Sequence, residues 1–294
     1  MGGFRTPLRY PGGKQRLSPF IREILDFNNI HGHYVEPYAG GAGVGIELLI
    51  NKDVKYIHLN DTDVSIYAFW YSVLNHTEEL CRLISKSSLT IDEWKKRKCI
   101  VKKGNSQDLL ELGYSLFYLN RCNRSGVISG GVIGGLNQKG NYKMDARFNR
   151  NDLIRRIEMI SCFKDQIFIT NYDAEYYISK YIPNLPKDCL IYLDPPYYNK
   201  GSELYLNAYK KEDHARLANA IQEKIEHNWV LSYDGINEIL GLYSDRRYFL
   251  YDLQYSASRV YRGEEVFVFC DRLKLPDHSI LDHINVGLGN LVNF

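Results

Sequence analysis

The chain has 294 residues, enough to bury a full core and to hold one large domain or a domain with a sizeable insertion. Its 45% hydrophobic and 24% charged content is ordinary for a soluble globular protein, and no apolar run approaches the roughly 20 residues of a membrane span. A formal net charge of +2 permits a polyanionic partner without demanding one, and six scattered cysteines without a Cys-x-x-Cys pair argue against a zinc ribbon or a disulfide scaffold. With no signal-type apolar stretch at the start, a cytoplasmic location is expected.

A basic, glycine-containing turn, Arg9-Tyr10-Pro11-Gly12-Gly13-Lys14, comes first; by itself such a turn has many uses. Residues 34–36 form a strand candidate that enters a glycine-rich turn and then a helical pattern through Ile46, Leu48 and Leu49. Residues 54–59 form a second strand candidate ending at Asn60-Asp61, followed by an apolar, aromatic helix over 64–74. Strand, turn, helix, strand is the opening of a doubly wound α/β sheet. From 71 to 160 the pattern is helical and basic. It contains Trp94-Lys95-Lys96-Arg97-Lys98, with Lys102 and Lys103, and a glycine-rich stretch over 123–135. These charges either form a solvated helix face or grip phosphate. The α/β pattern then resumes: strands over 166–170, 189–193 and 229–232, a helix over 212–226, and a β pair over 247–253 and 265–270. One α/β domain (1–70 and 161–274) split by a mainly helical insert (71–160) is the economical reading. The tail, 275–294, carries no motif.

Two constellations carry chemistry. The turn Glu36-Pro37-Tyr38-Ala39-Gly40-Gly41-Ala42-Gly43 lets backbone approach a ligand closely, with a helix directing its positive end there. Asp61, at the end of the second strand, lies where nucleotide-binding α/β folds hold ribose hydroxyls. The turn is not Gly-x-Gly-x-x-Gly, so a dinucleotide is not its natural ligand. Asp194-Pro195-Pro196-Tyr197 ends an apolar strand, in the ligand crevice of an open sheet. A carboxylate and an adjacent carbonyl can bind both N–H groups of an adenine amine and pull its delocalised lone pair toward tetrahedral geometry. Proline fixes that carbonyl without a competing N–H, and tyrosine offers a stacking face to an extruded base.

Together and in this order, these segments resemble the Dam-type adenine-N6 DNA methyltransferases (D12 class, alpha group), over roughly residues 7–269. The resemblance implies a Rossmann-like S-adenosylmethionine-dependent methyltransferase fold with a mixed seven-stranded sheet and an inserted target-recognition domain. Carried over by position, it puts Tyr10 and Lys14 on S-adenosylmethionine, and Glu36, Pro37, Tyr38, Ala39, Gly40 and Gly41 around its methionine part. Asp61 falls on its ribose, and Tyr172 and Asp173 beside its adenine. Asp194, Pro195, Pro196 and Tyr197 hold the target adenine, flipped out of DNA, and Arg9 meets the DNA. No metal and no covalent enzyme intermediate is needed.

The insert matches the family at Leu119-Asn120-Arg121 and then departs from it. Arg124-Ser125-Gly126 stands where an aromatic-Asn-Gly segment is usual, and Ser129 stands near the place of a base-reading arginine, so the resemblance does not extend to GATC readout. Arg121, Asn123, Arg124, Ser129, Asn137, Lys139 and Arg147 are candidates for DNA contact, because arginine and asparagine read guanine and adenine edges. Each serves equally well in a polar surface loop. Alternatives stay open: the same fold acting on RNA or on a protein amide, or a non-catalytic DNA-binding protein. Asp194 counts against a protein amide, where asparagine is usual. No cysteine follows a proline as a cytosine-C5 nucleophile would. A solitary methylase, a restriction-system partner and a phage-borne enzyme would look alike at these residues.

Overall fold

The computed structural model describes residues 5–9, 14–104, 107–198, 209–256, 260–276 and 287–292. Helix α1 (Ser18–Phe27) starts with a proline in its first turn and buries Phe20, Ile21, Ile24 and Leu25, one stripe at helical spacing. Strand β1 (His33–Glu36) leads into α2 (Gly43–Asn51), and β2 (Tyr56–Asn60) into α3 (Val64–Asn75), whose N-cap Asp63 accepts from Ser65 N. After the insert come β3 (Ile167–Thr170), a short helical run over 174–184, and β4 (Cys189–Leu193), with every residue buried. Parallel strands covered on both faces read as such unbroken apolar runs.

The sheet order is β3-β2-β1-β4-β5-β7-β6-β8, where β5 is Asn228–Asp234, β6 Arg247–Ser256, β7 Val260–Phe269 and β8 Gly287–Val292. The first five strands are parallel, and β7 inserts antiparallel between β5 and β6. This is the mixed seven-stranded methyltransferase sheet expected from the sequence, with one addition. Strand β8, in the tail that showed no motif, pairs antiparallel with β6 as an eighth strand. The strand order reverses between β1 and β4, where Val35 lies beside Ile191, so the loops leaving both strands open into one crevice. Phe20 of α1 packs against Phe249, Phe267 and Phe269 of the antiparallel end, closing the core there.

The insert consists of α4 (Thr77–Ser85), α5 (Ile91–Lys103), α6 (Leu109–Cys122), a long irregular loop, and α7 (Arg150–Ser161). The expected domain boundary at 71 falls inside the continuous helix α3, which packs on α6. That approach is so close that a Cβ on Gly113 would sit 2.5 Å from the Ala68 carbonyl oxygen. Phe69 and Phe117 stack across the same seam at 5.9 Å. The basic run on α5 is not one uniform solvated face. Trp94 and Arg97 are buried, and Arg97 is paired with Glu93 and Glu111, while Lys95, Lys96, Lys102 and Lys103 are exposed. No helix among the described residues is long and apolar enough to cross a membrane.

Candidate active site at the strand switch point

The turn after β1 is held from three sides. Asp61 Oδ2 accepts from Gly40 N at 2.9 Å, Trp70 Nε1 donates to Gly40 O, and Thr6 Oγ1 donates to Gly41 O. Gly40 has φ 43°, a left-handed conformation that glycine adopts without strain. Beneath the turn Asn60, wholly buried, donates to the carbonyls of Pro37 and Tyr172 and accepts from Thr170 Oγ1 and Tyr172 N. One side chain thus ties the β1 turn to the loop after β3.

Two carboxyls face this turn. Glu36 is buried, and its Oε1 accepts from Gly45 N in the first turn of α2 at 2.9 Å. Burial lifts its pKa to about 8 against the opposing hydrogen bond from Gly45. Asp61 is raised to about 7, first by burial and then by Asp63. Carboxyls lifted this far, beside small residues, fit a ligand that brings N–H and O–H donors, as the amino acid and ribose parts of S-adenosylmethionine do. The Tyr38 hydroxyl lies 3.0 Å from that of Tyr209. Tyr172 is 41% exposed, whereas Asp173 spends Oδ1 on capping Glu175 N and Tyr176 N. Tyr10 lies outside the described residues.

Across the crevice, Asp194 follows β4 directly. Its Oδ1 accepts from Ser232 Oγ of β5 at 2.9 Å, and Ser232 Oγ lies 2.8 Å from Tyr192 OH. Lys14, expected on the cofactor, places its ammonium 2.5 Å from Glu265 Oε2, 3.3 Å from Asp194 Oδ1 and 3.5 Å from Ser232 Oγ. Burial works against that charge, but Asp194 and Glu265, then Tyr197 and Tyr251, outweigh it and raise the Lys14 pKa well above the usual lysine value. Burial also raises Asp194, opposed by Lys14 and assisted by Glu265. Tyr197 is buried, donates its hydroxyl to Glu265 Oε1 at 2.7 Å, and carries the Lys14 ammonium 5.7 Å from its ring centre.

The DNA-contact candidates separate into two groups. Arg124, Ser129, Asn137, Lys139 and Arg147 are exposed along the irregular loop. Asn123 differs from expectation: it is wholly buried, accepts from Trp94 Nε1 at 2.7 Å and donates to the carbonyls of Val127 and Ile128. Its amide is spent shaping the loop, which leaves nothing for a base edge. Arg121 is 8% exposed and its Nε has no hydrogen-bond partner. Burial, then Arg156 and Arg9, lower its pKa to about 9, and Arg147 adds to this against Asp152. Arg9 is lowered by burial and by Arg147. Arginines converging with so little compensation leave a place for an anion.

Sequence reasoning missed the roles of Asn60, Ser232 and Glu265, and took Asn120 only as part of a family motif. Of the first three, only Glu265 left a signal, an acid in a strand whose next residues, Val266 to Phe269, are all apolar and buried.

A Rossmann-like sheet with a non-dinucleotide glycine turn at β1 and Asp-Pro-Pro-Tyr at β4 defines an S-adenosylmethionine-type methyltransferase class. The chain belongs to the D12 class N6 adenine-specific DNA methyltransferase family, whose model matches residues 10–258. It is similar to the modification methylase StsI of Streptococcus sanguinis, at 27% identity over 81% of this chain and 36% of that protein. It is also similar to the type II methyltransferase M.CviBI of Paramecium bursaria Chlorella virus NC1A, at 25% identity over 63% of this chain and 67% of that one. The type II methyltransferase M.MjaIII of Methanocaldococcus jannaschii matches at 24% identity over 70% of this chain and 73% of that one. The chain therefore spans little more than a third of the first relative's length and about two thirds or more of the other two.

Proposed function

We propose that the chain is a site-specific DNA methyltransferase that transfers a methyl group from S-adenosylmethionine to N6 of adenine, with the target base flipped out of the duplex. The observation that carries this reading is Asp194 at the end of β4, oriented by Ser232 and set across the switch-point crevice from the Glu36–Gly41 turn. When bound, S-adenosylmethionine supplies a sulfonium methyl group open to in-line displacement. The turn with Glu36 holds its methionine part, Asp61 its ribose and the exposed ring of Tyr172 its adenine. Asp194 and the Pro195 carbonyl take the two N–H groups of the target amine and draw its lone pair out of ring conjugation. Positive charge growing on N6 is then stabilised by the Asp194 carboxylate, whose raised pKa also suits it to take the surplus proton. The flipped base stacks on the Tyr197 ring, beside which the Lys14 ammonium lies 5.7 Å from the ring centre.

The arginines around Arg121 bind a backbone phosphate, and the exposed loop with Arg124, Ser129, Asn137, Lys139 and Arg147 meets the bases and neighbouring phosphates. The similarity to a modification methylase and to type II methyltransferases favours a role beside a restriction endonuclease. The test incubates the purified protein with S-adenosylmethionine and unmethylated genomic DNA and quantifies N6-methyladenine after digestion to nucleosides. Product from the wild type and none from Asp194→Ala is the expected result. No product from either, with cofactor binding intact, would sink the reading.

A further inference from the structure

We infer that Glu265 is a positioning residue for this methyl transfer, holding the Tyr197 ring by its hydroxyl and drawing the Lys14 ammonium away from Asp194. The inference rests on the functional reading above. Glu265 lies on β7 at 1% exposure, in register between Asp234 of β5 and Tyr251 of β6. An acid buried this deeply is retained only where donors satisfy it. Its Oε1 accepts from Tyr197 OH, and its Oε2 accepts from Lys14 Nζ and from Tyr251 OH at 2.5 Å.

The placement resolves a conflict inside the site. Asp194 must present negative charge to an amine that becomes positive, yet a lysine ammonium lies 3.3 Å from it. A cation paired with Asp194 alone would neutralise the acceptor. Glu265 takes the closer contact, 2.5 Å, so that one ammonium serves two carboxylates and the cluster keeps a net negative charge for the substrate. The same carboxylate fixes the hydroxyl of Tyr197 and therefore the plane of its ring. Glu265 touches no reacting atom; it acts through Tyr197 and Lys14. A misplacement of about 1 Å in such a group can cost on the order of 10²-fold in rate.

The experiment measures kcat, KM for DNA, cofactor affinity and melting temperature for the full chain and four variants. Glu265→Gln is expected to lower kcat by about 10²-fold while KM and cofactor affinity stay near wild type. Tyr197→Phe, which keeps the ring and loses the hydroxyl, lowers kcat by less. The double variant costs less than the product of the singles, because part of the effect of Glu265 runs through that hydroxyl. Tyr251→Phe removes a hydrogen bond to the same carboxylate while leaving both the Tyr197 hydroxyl bond and the Lys14 ion pair to Glu265 in place, and it lowers the melting temperature far more than kcat. Wild-type kcat in Glu265→Gln, multiplicative losses in the double variant, or equal kcat losses in Glu265→Gln and Tyr251→Phe each overturn the inference. If Glu265→Gln does not fold, Tyr197→Phe decides alone, unchanged kcat being the overturning result. A wild type that makes no N6-methyladenine overturns the functional reading and this inference with it, a result distinct from all the others.

Discussion

The side-chain amide of Asn120 grips the backbone of Arg9 at both ends, with Oδ1 accepting from Arg9 N and Nδ2 donating to Arg9 O, each at 2.7 Å. Its Nδ2 also donates to Gly126 O at 3.0 Å. A residue on the last turn of α6 therefore clamps the segment that leads to Lys14 against the start of the irregular loop. Only an amide can donate and accept in this way, so Asn120→Asp should fail almost as badly as Asn120→Ala. Either leaves buried backbone groups unpaired, at a cost of about 2–4 kcal/mol. Urea unfolding measures this; a loss under about 0.5 kcal/mol, the ordinary range for a surface substitution, would show that water replaces the amide.

Ser232 should matter to rate more than to binding. Its hydroxyl donates to Asp194 Oδ1 and meets Tyr192 OH, which fixes the carboxylate plane without touching substrate. In Ser232→Ala we expect kcat to fall roughly 10-fold with KM for DNA nearly unchanged, the signature of an interaction needed only in the transition state. A proportional rise in KM with kcat preserved would place Ser232 in binding instead.

The sheet was legible in the sequence because its parallel strands are short apolar runs ended by chemistry-bearing residues. Glu36, Asp61 and Asp194 each announce a strand's carboxyl end. The N-terminal helix α1 and the eighth strand β8 were not legible. The stripe of α1 is brief and flanked by charge, and Gly287–Val292 reads as a loop until β6 offers it an edge. In the site, residue type announced Asp194 and Tyr197 but not their supports. Asn60 and Ser232 are common polar residues whose partners lie 23 or more positions away in sequence, so no local pattern marks them. Lys14 was found as a motif residue without its ion pairs, because spacing cannot tell that β7 brings an acid beneath it.

Arg121→Met should separate folding from DNA binding. The guanidinium is buried with an unpartnered Nε, and Arg156, Arg9 and Arg147 oppose its charge. Replacing it with an apolar side chain of similar length relieves that repulsion, so the melting temperature of the free protein should rise. DNA affinity should fall, and the slope of log affinity against log salt should shrink by about 1 if one phosphate contact is lost. An unchanged slope would remove Arg121 from the phosphate interface, and a lower melting temperature would mean that its packing outweighs its charge.

Glu36 and Asp61 should make the free protein lose stability as pH rises from 4.5 to about 8, with His58 opposing them below 6.5. Glu36 has its folded pKa raised to about 8 and Asp61 to about 7, from ordinary values of 4.5 and 3.8. Above the unfolded values the unfolded chain has released these protons while the folded chain still holds them. Stability therefore declines as pH rises, and the decline ends once the folded groups have ionised, near pH 8. His58 moves the other way, its pKa lowered to about 4 by burial and by His33. The folded chain resists protonating it, so stability falls as pH drops from the ordinary histidine value of 6.5 toward 4. Melting temperatures from pH 5 to 9 should fall most steeply between pH 6.5 and 7, where neither carboxyl is opposed by His58, and level off above pH 8. Glu36→Gln should abolish the decline between pH 7 and 8 and lessen it below pH 7, while S-adenosylmethionine, by satisfying both carboxylates, should give a larger thermal shift at pH 8 than at pH 6. A shift independent of pH would remove Glu36 and Asp61 from the cofactor site.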